Sequence, residues 1–168
     1  MALALALCGV GVPAYAQSLY SPAGVWLDDQ GRTFNWQGLR GDYSVVNLAY
    51  GACRRVCSTS LRIMEQVQRS ADARRLSLNF IVVAIDPELD RPADWAAFRV
   101  DHKLTRGNWQ FLSGDRSSIQ RLANRLGVRY WHYGDHVLHD FRIVLVAPDG
   151  RLVAALNAPD EDPRALLP

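Results

Sequence analysis

The chain has 168 residues, of which 49% are hydrophobic and 21% charged, a composition that excludes collagen-like, low-complexity and intrinsically disordered proteins. A chain of this length is expected to form one domain. Its core should be large enough to be stable without disulfides or bound metal ions. Its 19 basic and 17 acidic residues leave a formal net charge of +2, which does not indicate nucleic-acid binding, and three cysteines are too few for a disulfide-rich scaffold.

The N-terminal segment has features of an export signal. Residues 1–16 are uncharged, rich in Ala, Leu and Val, and end in Ala-Tyr-Ala at 14–16, which has the small-x-small form of a cleavage site. We therefore expect a signal peptide over 1–16 and a single periplasmic domain over 17–168. Because the first basic residue is Arg32, a basic n-region is missing, and the alternatives are an uncleaved anchor to the inner membrane and a disordered apolar tail.

Strand and helix signals alternate along the first half of the chain. Short apolar runs rich in β-branched residues predict buried strands, and apolar residues at helical spacing between them predict a helix. The turn signal Asp-Asp-Gln-Gly at 28–31 lies between two short apolar runs and predicts a β-hairpin. In chain order we predict this hairpin over 25–36, a strand over 43–49, a helix over 54–75 and a strand over 78–85.

The second half continues the alternation and closes with a hairpin whose turn is Pro-Asp-Gly at 148–150. Gly127 is expected to end a helix, residues 132–139 to form a loop because they contain Gly and Asp, and the tail from 158 to fray. The predicted elements are helices over 93–102 and 117–126, and strands over 109–112, 141–147 and 151–156. This order predicts an α/β sandwich with parallel central strands and an antiparallel hairpin at one side.

Two cysteines, Cys53 and Cys57, follow the first buried strand and lie at the start of the predicted helix. Ligands of open α/β sheets gather beyond the carboxyl ends of strands, and a helix N-terminus together with Arg54 and Arg55 favours the thiolate form. Four residues apart on a helix, the two side chains start about 5–6 Å from each other. The two thiolates could then hold one metal ion or, after a backbone shift, close a disulfide.

Soft thiolates select Cu(I), and an added imidazole also suits Cu(II), whereas a structural zinc site takes four ligands. Besides the two thiols, the chain offers His132, His136 and His139. A site with two sulfurs and one nitrogen leaves room for passing the metal to a partner, which suits a carrier. A separate site made of the three histidines is an alternative, although a loop position without a metal is more typical of His132 and His136, and a surface position of His102.

Four separated motifs occur in the order found in a known family. They are Leu39-Arg40-Gly41-Asp42 followed by VVNLAYGACRRVCS, the segment AIDPELDRP at 84–92, the stretch from Trp109 to Tyr130 with LSG and GVRY, and His139 placed 11 residues before Gly150. Together they resemble the SCO/SenC family, the copper chaperones of cytochrome c oxidase assembly. The resemblance runs through most of the chain after residue 16.

The resemblance implies a thioredoxin-like three-layer α/β sandwich with a central mixed sheet, preceded here by the N-terminal hairpin. It implies copper as the bound metal, Cys53, Cys57 and His139 as its ligands, and the copper-containing subunit of a cytochrome c oxidase as the partner. A carrier of this kind does no covalent chemistry on a substrate, so we do not expect an enzyme in the strict sense.

A second hypothesis on the same fold is a periplasmic thiol–disulfide oxidoreductase in which Cys53 and Cys57 are the redox-active pair. Its substrate would be the cysteine pair of a cuproprotein, kept reduced for metal loading. Where the family has Cys-Pro-Asp-Val-Cys-Pro, this chain has Cys-Arg-Arg-Val-Cys-Ser at 53–58. The two cations stabilise the thiolate, the form that attacks a disulfide, and this motivates the hypothesis. They should also make the disulfide of the pair more oxidising.

Overall fold

The computed structural model describes residues 18–51, 56–134 and 136–168, with the backbone alone at 56–58. A six-stranded mixed sheet and a separate two-stranded hairpin make up its β-structure. In chain order the strands are β1 (Trp26–Asp28), β2 (Tyr43–Ala49), β3 (Leu78–Ala84), β4 (Trp109–Gly114), β5 (Tyr130–Tyr133), β6 (His136–His139), β7 (Ile143–Val146) and β8 (Leu152–Leu156). The large sheet has the order β1-β4-β3-β2-β7-β8, and β5 pairs with β6 alone.

Strands β2, β3 and β4 form the parallel centre of the large sheet, as the sequence predicts, and β1, β7 and β8 join antiparallel. The two middle strands are buried along almost their whole length, which explains why they are continuous apolar runs rather than alternating ones. Phe80 of β3 stacks on its neighbour Trp109 of β4 with ring centroids 4.8 Å apart. The core therefore lies against both faces of these strands.

Three α-helices connect the strands: α1 (Val56–Ala73), α2 (Pro92–Asp101) and α3 (Arg116–Leu126). All three were predicted, and each is bounded by recognisable capping residues where its ends are described. Pro92 opens α2, the Asp115 carboxylate accepts from the Ser118 amide at the start of α3, and Gly127 ends α3 with a φ of 69°. Within the described ranges, none of the helices combines the length and apolarity needed to cross a bilayer.

The predicted N-terminal β-hairpin is reduced to a single bridge between Leu27 and Thr33. The turn itself forms, since the Gly31 amide donates to the Asp28 carbonyl at 2.9 Å. Beyond it, the chain enters a 3-10 helix over Trp36–Leu39 that buries Trp36 against Trp26, with ring centroids 5.5 Å apart. Strand β1 consequently takes its partner from β4 rather than from the segment that follows the turn.

The prediction of a loop over 132–139 is wrong, because β5 and β6 pair antiparallel across a turn at Gly134. The prediction of a frayed tail is wrong as well. Residues Pro163–Leu166 form a 3-10 helix whose Asp162 cap accepts from the Arg164 amide at 2.9 Å. This helix packs against α1 and β8, and it buries Leu166 completely.

Replacing Leu166 tests whether the tail is part of the core. We expect Leu166→Ala to lower the free energy of unfolding by about 2–5 kcal/mol, because it removes fully buried methyl groups and leaves a cavity. Urea denaturation monitored by tryptophan fluorescence measures the change, and Leu152→Ala, at a residue 37% exposed, is the matched control. Equal stability of the two variants would contradict this assignment of the tail to the core.

Candidate metal centre

The segments at the carboxyl ends of β2 and β3 are joined by two hydrogen bonds just before the cysteine segment. The Ile85 amide donates to the Ala49 carbonyl at 2.9 Å. Two residues after β2, the Gly51 amide donates to the Asp90 carboxylate at 2.9 Å. The segment that enters the cysteine region is therefore fixed to the chain that leaves β3.

The two cysteines differ in how much of them the structure describes. Cys53 lies outside the described residues, whereas the backbone of Cys57 lies in the first turn of α1, as the sequence predicts. Helix α1 is held to the sheet close to this point by the buried Asn47 side chain of β2, whose Nδ2 donates to Ser60 Oγ at 3.1 Å. The positive end of an 18-residue helix favours a thiolate at its first turn.

His139 lies near the same end of the sheet, because the strand that follows it, β7, begins there. Strand β7 pairs antiparallel with β2 so that Ile143 lies opposite Asn47. The beginning of β7 is therefore beside the end of β2, and His139 closes β6 only four residues earlier. The backbone thus brings the histidine-bearing strand towards the cysteine-bearing helix, and convergence of their side chains on one ion stays a prediction.

The imidazole of His139 has a defined tautomer and a lowered pKa. Its Nδ1 lies 2.9 Å from the Asp140 carbonyl, an oxygen that can only accept, so the proton belongs on Nδ1 and the lone pair on Nε2. Burial lowers the pKa of His139, against the smaller opposing effects of the Asp140 carbonyl and carboxylate. The ring is therefore neutral at pH 7, which is the form that binds metals.

The β5–β6 hairpin places His132 and His136 on opposite faces. Residues directly opposite each other in an antiparallel pair share one face. One face carries Tyr130, His132, Val137 and His139, and the other carries Trp131, Tyr133, His136 and Leu138. His136 therefore points away from the face of His132 and His139, so the three histidines do not form one site.

A contact that the sequence analysis did not anticipate joins the hairpin to the end of β3. His132 Nε2 lies 3.9 Å from Asp86 Oδ2. The other oxygen of Asp86 accepts from the Glu88 amide at 3.0 Å, and the Asp86 carbonyl accepts from the Asp90 amide at 2.9 Å. Asp86 and Asp90 therefore shape the loop that follows β3. No sequence signal pairs Asp86 with His132, because 46 residues separate them and only the fold joins them.

The described residues contain no group of three or more His, Cys, Asp or Glu side chains close enough to hold a metal ion. A complete metal centre would therefore need Cys53 and the Cys57 side chain, which lie outside that description. His102 is exposed at the end of α2, where its ring stacks on Phe98 with centroids 3.9 Å apart. It is a surface residue, as expected from the sequence.

Asp90 is a buried carboxyl beneath the entrance to the cysteine segment. Only 2% of the residue is exposed, and its Oδ2 has no hydrogen-bond partner among the described residues. Burial raises the pKa of Asp90 to about 7, and the charges of Asp86 and Asp94 act in the same direction against the lowering effect of the Gly51 amide. Asp90 therefore keeps its proton in mildly acidic solution, when most carboxyls are ionised.

The raised pKa of Asp90 gives stability a specific pH dependence. Between the unfolded value of 3.8 and the folded value of about 7, the native state holds a proton that the unfolded state has lost. The free energy of unfolding should therefore fall as pH rises through this window, by up to about 1.4 kcal/mol per pH unit. Asp90→Asn removes this slope and keeps an acceptor for the Gly51 amide. The unfolding free energies of the native chain and of Asp90→Asn, plotted against pH, should therefore converge or cross towards pH 7.

Urea unfolding at pH 5, 6 and 7 measures this difference. Asp149→Asn is the matched control, since Asp149 is a solvent-exposed carboxyl whose pKa is lowered by its bond to Arg151 and which does not act on Asp90. It should leave the slope between pH 5 and 7 unchanged. Parallel curves for the native chain and Asp90→Asn would contradict the assignment.

The chain is similar to several known proteins. The SCO1 protein homolog of Bacillus subtilis is 25% identical over 140 residues, which cover 81% of this chain and 72% of the homolog. The copper-bound structure of Bradyrhizobium japonicum ScoI matches with a TM-score of 0.69 at 26% identity, over 85% of this chain and 92% of that one. The structure of BsSco, described as a member of the Sco family of cytochrome c oxidase assembly proteins with a disulfide switch, matches with a TM-score of 0.70 at 22% identity, over 86% and 90% of the two chains.

These superpositions confirm the thioredoxin-like α/β fold with a central mixed sheet that the sequence resemblance implied. The family model described as SCO1/SenC matches residues 21–167, which is nearly the whole chain. The chain belongs to the SCO1/SenC family.

Proposed function

We propose that this protein binds copper through Cys53, Cys57 and His139 and delivers it to the copper-containing subunit of a cytochrome c oxidase during assembly. The observation that carries the proposal is the pairing of β2 with β7. It brings the end of β6, and so His139, to the edge of the sheet where α1 begins. The copper-bound ScoI relative and the oxidase-assembly description of BsSco support the choice of metal and of target.

The donor set suits a transient copper site. Two thiolates favour Cu(I), and the neutral imidazole of His139 adds a nitrogen that also suits Cu(II). Three protein ligands leave a coordination position through which a partner's ligand can enter before the first ligands leave. Copper is the cargo here, so the protein would act as a carrier and not as an enzyme.

The compartment that we propose is the periplasm. We propose that residues 1–16 direct export and that residues 17–168 act as one domain in the periplasm. In an oxidising compartment a cysteine pair can alternate between thiols and a disulfide, so copper loading there requires the reduced pair. An inner-membrane anchor through the uncleaved segment would hold the carrier beside a membrane-bound oxidase.

The thiol–disulfide oxidoreductase is the second candidate. In that role a thiolate of the Cys53–Cys57 pair attacks a disulfide of the partner, and the other cysteine resolves the mixed disulfide, so two electrons pass to the partner. Arg54 and Arg55 raise the thiolate fraction available for this attack, but a more oxidising pair passes electrons to the partner less readily. The position of His139 favours copper. The two candidates therefore make opposite predictions for a His139 variant.

Removal of both thiols tests the copper site. We expect Cys53→Ala with Cys57→Ala in the full chain to lose high-affinity Cu(I) binding, measured by competition with a chromophoric Cu(I) chelator under reducing conditions. Cys8→Ala is the matched control and should keep one tightly bound copper ion per chain. Unchanged stoichiometry and affinity in the double variant would rule out the proposed ligand set.

Removal of the imidazole separates the two candidate functions. We expect His139→Ala to weaken copper binding by at least about 10–100-fold, since a donor atom is lost outright. The rate at which the reduced protein cleaves a model disulfide should stay within about twofold of the native rate. His136→Ala, on the opposite face of the hairpin, is the control for both assays. Intact copper binding together with unimpaired disulfide cleavage in His139→Ala would favour the oxidoreductase.

A further inference from the structure

The contact between His132 and Asp86 has no role in the ligand set proposed above. Asp86 is held in place because its Oδ1 accepts from the Glu88 amide, and its side chain is only 10% exposed. Its Oδ2 is therefore directed at His132 Nε2, 3.9 Å away. The His132 side chain is 44% exposed, so an ion in solution can reach this pair directly.

The separation of the two atoms fits a bridging metal ion. Bonds from a first-row divalent metal to imidazole nitrogen and carboxylate oxygen are about 2.0–2.2 Å long, so one ion spans donors up to about 4.2 Å apart. A nitrogen and an oxygen donor suit Cu(II), which among the divalent first-row metals binds such sites most strongly, and they do not suit Cu(I). With two protein ligands, water would complete the coordination, and binding should be weaker than at a three-donor site.

The surroundings place this pair beside His139. His132 and His139 lie on the same face of the hairpin, on opposite strands and diagonal to each other, because His132 pairs with Val137 and His139 with Tyr130. Diagonal neighbours of this kind are about 7–8 Å apart, within reach of long side chains. Arg116, whose charge acts on Tyr130 of this face, is itself paired with Glu88 at 2.8 Å, which reduces its repulsion of a cation.

We propose that Asp86 and His132 form an accessory Cu(II) site at the solvent-exposed edge of the copper centre, where the ion is held before it moves to the thiolates. The role as an entry site rests on the proposed function, whereas the binding of Cu(II) by the pair does not. His136 cannot replace His132 in this site, because it lies on the other face of the hairpin. The two histidines are thus a matched pair for the test.

The binding test uses untagged full-length protein with Cys53 and Cys57 both replaced by Ser, titrated with copper(II) chloride. Calorimetry gives the affinity, and the electron paramagnetic resonance spectrum reports the donor atoms. We expect one Cu(II) with nitrogen and oxygen donors, an affinity at least about tenfold lower in His132→Ala and in Asp86→Asn, and no change in His136→Ala. Binding that is insensitive to His132→Ala, or equally weakened by His136→Ala, would overturn the site and leave only an ion pair.

The kinetic test uses the native thiols and rapid mixing with Cu(II), followed through the sulfur-to-copper charge-transfer band. We expect His132→Ala to slow the appearance of this band severalfold and to leave the final Cu(I) affinity unchanged. Uptake at the native rate would overturn the entry role. A native chain that fails to bind Cu(I) in the chelator competition would refute the proposed function, while the calorimetric result would still decide the Asp86–His132 site.

Discussion

The pairing of β2 with β7 is the constraint on which the candidate centre depends. Because the strands are antiparallel with Ile143 opposite Asn47, the beginning of β7 meets the end of β2. On its other side β2 is parallel to β3, so the chain leaving β3 emerges at the same edge. Three segments distant in sequence therefore meet there: the start of α1, the loop that contains Asp86, and the end of β6. A different strand order would leave the sequence unchanged and would separate these three segments.

Two hydrogen bonds, one buried and one partly buried, fix the chain on either side of the cysteine segment. Before it, the Gly51 amide is bound to Asp90, and after it, Ser60 is bound to Asn47 of β2. The first of these places an acidic side chain in an apolar setting, with the ring of Trp95 packed nearby, and its burial there raises the pKa of Asp90. Both bonds hold the described chain next to the cysteine segment, on either side of it.

Much of this fold could be predicted from the sequence because its central elements carry strong local signals. The runs that form β2 and β3 are apolar and β-branched, as strands buried on both faces must be, and Gly127 ends α3 where a left-handed residue is required. The β5–β6 hairpin was missed because its strands have only four residues each and mix aromatic, apolar and histidine side chains. A usable signal existed, since Gly134-Asp135 is a two-residue sequence typical of a tight hairpin turn.

The site was only partly predictable, for a physical reason that the histidines illustrate. Sequence spacing cannot decide which of His132, His136 and His139 share a face until the strands and their register are known. In β6, His136 and His139 are three residues apart, so the strand's period of two sends them to opposite faces. A shift of one residue in the pairing of β6 would exchange their positions and move His139 away from the face that carries His132. The short turn at Gly134 fixes that register, so the geometry of the candidate centre depends on the hairpin turn as much as on the donor residues themselves.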